Sequence, residues 1–397
     1  MFAEAAMPAS LAARAWAWLR ALVLVAGVVL LALLARDQTE KILAYQPLGI
    51  DFLPMWAAAH EAFVHPEKIY DFVRLTDFEH PLAANFVGLR PFVYPPPALL
   101  VFAPFGLAPF GIANAIWTAA GLVLILVTMA GRLGSPRVLV LAAMVLSPAS
   151  VLVLITGQVT FLIATAAVVG LLSLQTRPRL AGVLFGLACA IKPQSLALLP
   201  VALVATGQWR TMLAAAVTAL AAAAASVAVL GFHAWLEWLA ALQRFQDIVM
   251  NAQGFQKGMI TPTALGATMR FDPGAQAFWR LGFAIGAVFM VWRVFRKTED
   301  PARRLTALLG GSLFVTPYAM HYDAALLAPA AALMLTHRPS PGAWIAALLA
   351  GALLCCAAIP YVGAAAVTAF VLAVSFTPET AFAGRLSPVE LPAQAKG

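Results

Sequence analysis

From its N-terminus the chain alternates long apolar runs with short polar breaks. The first run, Ala21 to Leu34, follows Arg14 and Arg20 as a signal sequence would, but its exit at Ala35-Arg36-Asp37 has no small-x-small cleavage pattern, which predicts an uncleaved membrane helix. A polar stretch from Arg36 to Pro96 comes next, and within it Phe52 to Phe63 predicts an amphipathic helix on the membrane surface. Pro97 to Leu107 is apolar but too short to span, so it predicts a half-length or re-entrant helix. Phe110 to Met129, Val138 to Ile155 and Val159 to Leu174 then cross in turn, with Gly157-Gln158 as a tight connection between the last two.

Leu180 to Thr206 can be drawn as one helix or as two meeting at Lys192-Pro193. The broken form is favoured, because proline ends a helix and a lone lysine at mid-bilayer costs about 3 kcal/mol. One unbroken helix would also place the basic stretch Arg293 to Arg304 on the outer side, against the positive-inside bias. Thr211 to Phe232, Phe278 to Trp292, Leu305 to Ala319, Ala324 to Thr336, Gly342 to Ile359 and Tyr361 to Phe376 complete the spans. Counting half-length and re-entrant pieces, this predicts an all-α polytopic membrane protein of roughly 10 to 13 helices.

Composition agrees: 62% of the 397 residues are hydrophobic, only 11% are charged, and mean hydropathy is +0.89, too little polar surface to coat a soluble globule. The net charge of +8 does not point to nucleic acid, since no basic cluster is interleaved with exposed aromatics; short basic loops on one membrane side account for it. Cys189, Cys355 and Cys356 all lie in apolar runs without metal-ligand spacing and read as packing residues.

Charge also assigns the sides. Residues 36–96 carry Asp37, Glu40, Asp51, Glu61, Glu67, Asp71, Asp77 and Glu79 against Arg36, Lys41, Lys68, Arg74 and Arg90, whereas the later interhelical clusters at Arg132 and Arg137, Arg177 and Arg179, Arg210 and His337-Arg338 are poor in acid. The expected organisation is one integral-membrane unit over 1–376, with external loops at 36–96 and 233–276, both termini cytoplasmic, and a disordered cytoplasmic tail over 377–397. That topology gathers Asp51, Arg90, Tyr94, Gln158, Lys192, His321 and Asp323 on the external face. Asp51 by itself can be a helix N-cap or a base. A carboxylate facing cations at a membrane surface fits sugar transfer from a lipid phosphate: the base takes the acceptor proton and the cations hold the leaving phosphate. Asp71 or Asp323 could orient a cation. The competing class is a transporter or flippase for a polar or lipid-linked solute, because buried ionisable groups also mark transport paths.

The ordered segments Asp51-Phe52 with Trp56-Ala57-Ala58, Tyr70-Asp71, Phe92-Val93-Tyr94-Pro95-Pro96, Gly157-Gln158, Ala181-Gly182, Lys192-Pro193, Gln208-Trp209-Arg210 and His321-Tyr322 resemble glycosyltransferase family 87, over about residues 45 to 325. This family is mannosyltransferase-like and has the GT-C membrane fold. The resemblance implies an inverting transferase of a bacterial-type inner membrane that takes a sugar, mannose foremost, from a polyprenyl-phosphate donor on the extracytoplasmic side. The acceptor would be a glycolipid, glycan or protein. The resemblance maps the catalytic acid to Asp51, donor phosphate or sugar contacts to Arg90, Lys192, His321, Gln158 and Tyr94, and acceptor or lipid contacts to Trp56 and Tyr322. It implies no cofactor and no metal. Many membrane glycosyltransferases carry paired acids in this loop; here Asp51 stands alone between Ile50 and Phe52.

Overall fold

The computed structural model describes residues 9–83, 88–134, 136–251, 258–336 and 341–376, and these residues form an all-helical polytopic membrane protein. The expected tail from Thr377 and the basic turn His337-Arg338 lie outside the described residues. Helix α1 (Ala9–Leu43) runs past the predicted exit at Ala35, because Arg36–Glu40 and Asp37–Lys41, each paired at 2.7 Å one turn apart, continue the helix through its polar end.

Four helices are long and apolar enough to cross a membrane: Ala21–Leu43 of α1, α5 (Phe110–Ala130), α11 (Trp209–Leu230) and α14 (Pro273–Lys297). Their outer faces expose large apolar side chains such as Leu22, Val127, Leu220 and Phe278, the surface expected of a helix against lipid. Val138 to Ile155 is more broken than the sequence suggested. It divides into α6 (Arg137–Leu146) and α7 (Pro148–Thr156), bent by 62° where Ser147 turns extended ahead of Pro148 and its hydroxyl accepts the Ser150 N–H as an N-cap.

Shorter apolar helices fill the interior. They include α4 (Pro96–Gly106), the expected half-length piece, α8 (Thr160–Ser173), α9 (Pro178–Ile191) and α10 (Leu199–Ala205). The α9–α10 segment breaks at Lys192-Pro193 as proline requires, through a 3₁₀ turn at Pro193–Leu196.

One expectation for the polar stretches needs correction. Helix α2 (Leu53–Val64) does not lie on a membrane surface: Leu53, Met55, Trp56, Ala57, Ala58, Ala59 and Glu61 are buried, and its small alanines let α4 approach so closely that a Cβ on Gly106 would sit 2.6 Å from the Ala59 carbonyl carbon. Residues 233–276, the expected second external loop, carry the amphipathic α12 (His233–Asn251) and the short α13 (Pro262–Thr268). Helix α12 docks through Trp238, whose indole N–H donates to the Val93 carbonyl (3.1 Å), and through Arg244, which donates to the Tyr70 carbonyl (3.2 Å).

The basic stretch from Arg293 to Arg304, which runs into α15 (Pro301–Leu305), closes helix ends. Arg304 donates to the Thr298 and Phe295 carbonyls at the C-terminus of α14 (2.6 and 3.2 Å), and Arg293 donates to the Ser375 carbonyl (3.2 Å) near the end of the last helix. The chain continues through a π-turn to α16 (Gly311–Val315), a 3₁₀ helix over His321–Leu327, α17 (Ala328–Thr336), α18 (Pro341–Cys356) and α19 (Val362–Phe376).

One junction positions the functional residues. Gly49 N–H donates to the Ile155 carbonyl (2.8 Å), and the Asp51 and Phe52 N–H groups both donate to the Thr156 carbonyl (2.9 and 3.0 Å). These carbonyls end α7 and have no partner within their own helix, so the Gly49–Phe52 turn serves as an external C-cap. Gly157 then takes a left-handed conformation (φ +77°), and a Cβ there would lie 2.6 Å from Phe52 Cβ. Gly157→Ala combines left-handed strain with that clash, and is expected to lose about 2–4 kcal/mol of stability. Thermal unfolding in detergent checks this against Gly282→Ala, which meets open space and should unfold no earlier than the wild type.

Candidate functional site

The Gly49–Phe52 turn forms one wall of a cavity of about 630 Å³. Asp51, Arg90, Tyr94, Gln158, Lys192, His321, Tyr322 and Asp323 all line it, so the residues gathered from scattered segments of the sequence do meet. Trp56 is not among the lining residues. It is buried beneath them, stacked on Phe78 and His60, with its indole N–H donating to the Ala108 carbonyl (2.8 Å), so no contact with an acceptor or with lipid is available to it.

Asp51 does not cap α2. That helix has Phe52 as its N-cap residue, with no side-chain hydrogen bond there. The Asp51 carboxylate instead faces the side chains of Gln158 and Thr156. Burial raises its pKa above the ordinary aspartate value; Gln158, Thr156 and Lys192 pull it down, and the like charge of Asp323 pushes it up. Tyr94 Oη donates to Gln158 Oε1 (3.2 Å), which leaves the amide NH₂ of Gln158 as the donor toward Asp51. The Tyr94 carbonyl in turn accepts from Tyr70 Oη (2.9 Å), tying this wall to the first polar stretch.

Lys192 brings a cation to the same cavity. Lys192 Nζ donates to Asp323 Oδ1 at 2.5 Å in a buried ion pair and lies 5.5 Å from the centre of the Tyr322 ring. Asp323 and Tyr322 are presented by the 3₁₀ helix, whose start is held by an antiparallel clip: Ile260 N–H donates to the Ala319 carbonyl and His321 N–H to the Gly258 carbonyl, both at 2.9 Å. His321 Nδ1 is buried beside Gly258 with no well-formed hydrogen bond. Burial pushes the His321 pKa down, with the Gly258 carbonyl and Asp323 pulling the other way, so the ring enters the site neutral at pH 7.

Arg90 reaches the cavity wall with its guanidinium already engaged. Nε donates to Glu79 Oε2 (2.6 Å) and Nη2 to the Thr76 carbonyl (3.0 Å), while the backbone N–H bonds Thr76 Oγ1 (3.0 Å). Glu79 is fully buried, and that burial pushes its carboxyl up to about 7 against the pull of Arg90. Asp71 sits apart as the N-cap of α3 (Phe72–Glu79), accepting from the Val73 and Arg74 N–H groups (3.1 Å each). Among the described residues no cluster of three or more His, Cys, Asp and Glu could hold a metal ion.

Sequence reasoning missed the partners rather than the site. Glu79 gave no signal beyond being one acid among several in its loop. Asp323 was visible as a spare acid at a span end, and its pairing with a lysine 131 residues away is a product of the fold.

The model of glycosyltransferase family 87 matches residues 92–317. No curated protein and no solved structure matches the chain. The matched segment holds Tyr94, Gln158 and Lys192; Asp51 and Arg90 precede it, and His321, Tyr322 and Asp323 follow it.

Removing Arg90 would leave Glu79 buried without its cation. Arg90→Leu is therefore expected to destabilise the protein by about 3–5 kcal/mol, read by thermal unfolding. Wild-type stability in that variant would contradict a structural role for the pair.

Proposed function

The chain belongs to glycosyltransferase family 87, and from that premise we propose that it moves a sugar, mannose foremost, from a polyprenyl-phosphate donor to an acceptor hydroxyl, with inversion and with Asp51 as general base. The observation that carries this reading is one cavity lined by both Asp51 and Lys192, the latter paired with Asp323. In this mechanism the Asp51 carboxylate accepts the proton of the acceptor hydroxyl while that oxygen attacks the anomeric carbon. The bond from that carbon to the phosphate oxygen breaks on the opposite side, and polyprenyl phosphate departs with its charge against Lys192. The acquired proton then passes from Asp51 to water.

The raised pKa of Asp51, driven chiefly by burial, suits a base, since it makes the carboxylate more basic than one in water. Gln158, itself held by Tyr94, orients it. Neutral His321 and the Tyr322 hydroxyl are placed to hydrogen-bond the sugar or the phosphate. The reading calls for no metal. It places the cavity on the extracytoplasmic face of a bacterial-type inner membrane, and leaves a glycolipid, glycan or protein as acceptor.

Release of polyprenyl phosphate from a labelled lipid-linked sugar is the assay that separates transfer from transport. Asp51→Asn should lower the rate by about 10²–10⁴-fold at unchanged thermal stability, and full activity in that variant would remove Asp51 as base. Because a base must be ionised, kcat/KM should rise with pH through an acid limb lying above the ordinary aspartate value of about 3.9. Excess EDTA should leave the rate unchanged. For sidedness, Leu89→Cys should react with an impermeant maleimide in intact cells, and Arg296→Cys only after permeabilisation; the reverse pattern would invert the orientation.

A further inference from the structure

Asp51 and Asp323 are the two carboxylates on the cavity wall, and Lys192 lies between them in charge terms. Lys192 sits at the non-helical break after α9 (φ −142°, ψ 76°), and its stem is long enough to swing. Asp323 is fixed at both oxygens: Oδ1 accepts from Lys192 and Oδ2 accepts the Met320 N–H (3.1 Å). The turn that holds Asp323 is in turn clipped to Gly258 and Ile260. Asp323 is therefore the rigid member of the pair, and Lys192 the adjustable one.

A lysine free in this cavity has one other carboxylate to approach, the proposed base. An Asp51–Lys192 ion pair would make the carboxylate a weaker base and withdraw the ammonium from the phosphate. We propose that Asp323 is a positioning residue that keeps Lys192 away from Asp51 and aims its ammonium at the donor phosphate. Tyr322 supports the same placement, with its ring beneath the ammonium. This inference rests on the proposed transfer reaction and adds a role for a residue that touches neither reacting atom.

The electrostatics around Asp51 agree in sign. Asp323 raises the pKa of Asp51 and Lys192 lowers it, so losing the first and releasing the second act in the same direction. The other titratable groups on this cavity do not compete: burial pushes Tyr94, Tyr318 and Tyr322 up and His321 down, leaving all four neutral, and Arg90 is engaged with Glu79.

The test is the pH profile of kcat/KM with a polyprenyl-phosphate sugar as probe, on full-length protein in detergent or nanodiscs. Asp323→Asn should move the acid limb down by about one unit and raise the donor KM roughly tenfold. Asp323→Glu should return the acid limb to the wild-type position. The pair Lys192→Gln with Asp323→Asn removes the lysine that would collapse onto Asp51, so its acid limb should lie above that of Asp323→Asn while the donor KM stays raised.

An Asp323→Asn enzyme with a wild-type acid limb and donor KM overturns the proposal, because a merely structural aspartate would change only the folded fraction. If the unpaired lysine prevents that variant from folding, Asp323→Glu decides, since it keeps the ion pair while its extra methylene displaces the ammonium: a raised donor KM with a wild-type acid limb supports the proposal, and a wild-type donor KM overturns it. Activity in Asp51→Asn removes the underlying reaction scheme, whereas an inactive Asp51→Asn beside an unshifted Asp323→Asn removes this inference alone.

Discussion

The site depends on a helix end that cannot satisfy itself. Helix α7 stops at Thr156, and its last carbonyls accept N–H groups from the turn that holds Asp51. A carbonyl left unpaired inside an apolar bundle costs several kcal/mol, so the turn and the helix are obligate partners. Gly157 permits the contact by having no Cβ, and Trp117 seals it by donating to the Gly157 carbonyl (2.9 Å) while stacking on Phe52 (5.5 Å between ring centres). The acid is thereby fixed through its own backbone, and its carboxylate is left free of capping duty.

Around this fixed acid the cavity is sparing with charge. Arg90 is held by Glu79 and the Thr76 carbonyl, Lys192 is paired with Asp323, and burial keeps His321 and the tyrosines neutral. Among the described residues, Asp51 is a cavity carboxyl that forms no ion pair. An anion entering such a space would meet the Lys192 ammonium and a carboxylate whose pKa is raised chiefly by burial.

Much of this was legible in the sequence because membrane insertion leaves a coarse record. Proline after Lys192 predicted the break that places the lysine, and the apolar length of Pro97 to Leu107 predicted a half-helix. Other features depend on tertiary pairing, which leaves no local mark. Helix α2 reads as amphipathic, yet its alanines serve close packing on α4, and Trp56 beside the acid is a core aromatic. Arg90 reads as a phosphate ligand until Glu79 is seen beside it. Residues 233–251 read as loop because the apolar positions of α12 are interrupted by polar ones on its other face. The family match ends before His321 and begins after Asp51, so only the fold joins these two residues to the matched segment.

The proposed reaction requires this cavity to receive a sugar phosphate with its anomeric carbon turned to Asp51. A cryo-electron microscopy structure with a non-hydrolysable polyprenyl-phosphate sugar analogue tests it most directly. The account predicts a phosphate oxygen about 3 Å from Lys192 Nζ, with the sugar lying between that phosphate and Asp51. Phosphate density outside the cavity, or a sugar turned away from Asp51, would contradict it.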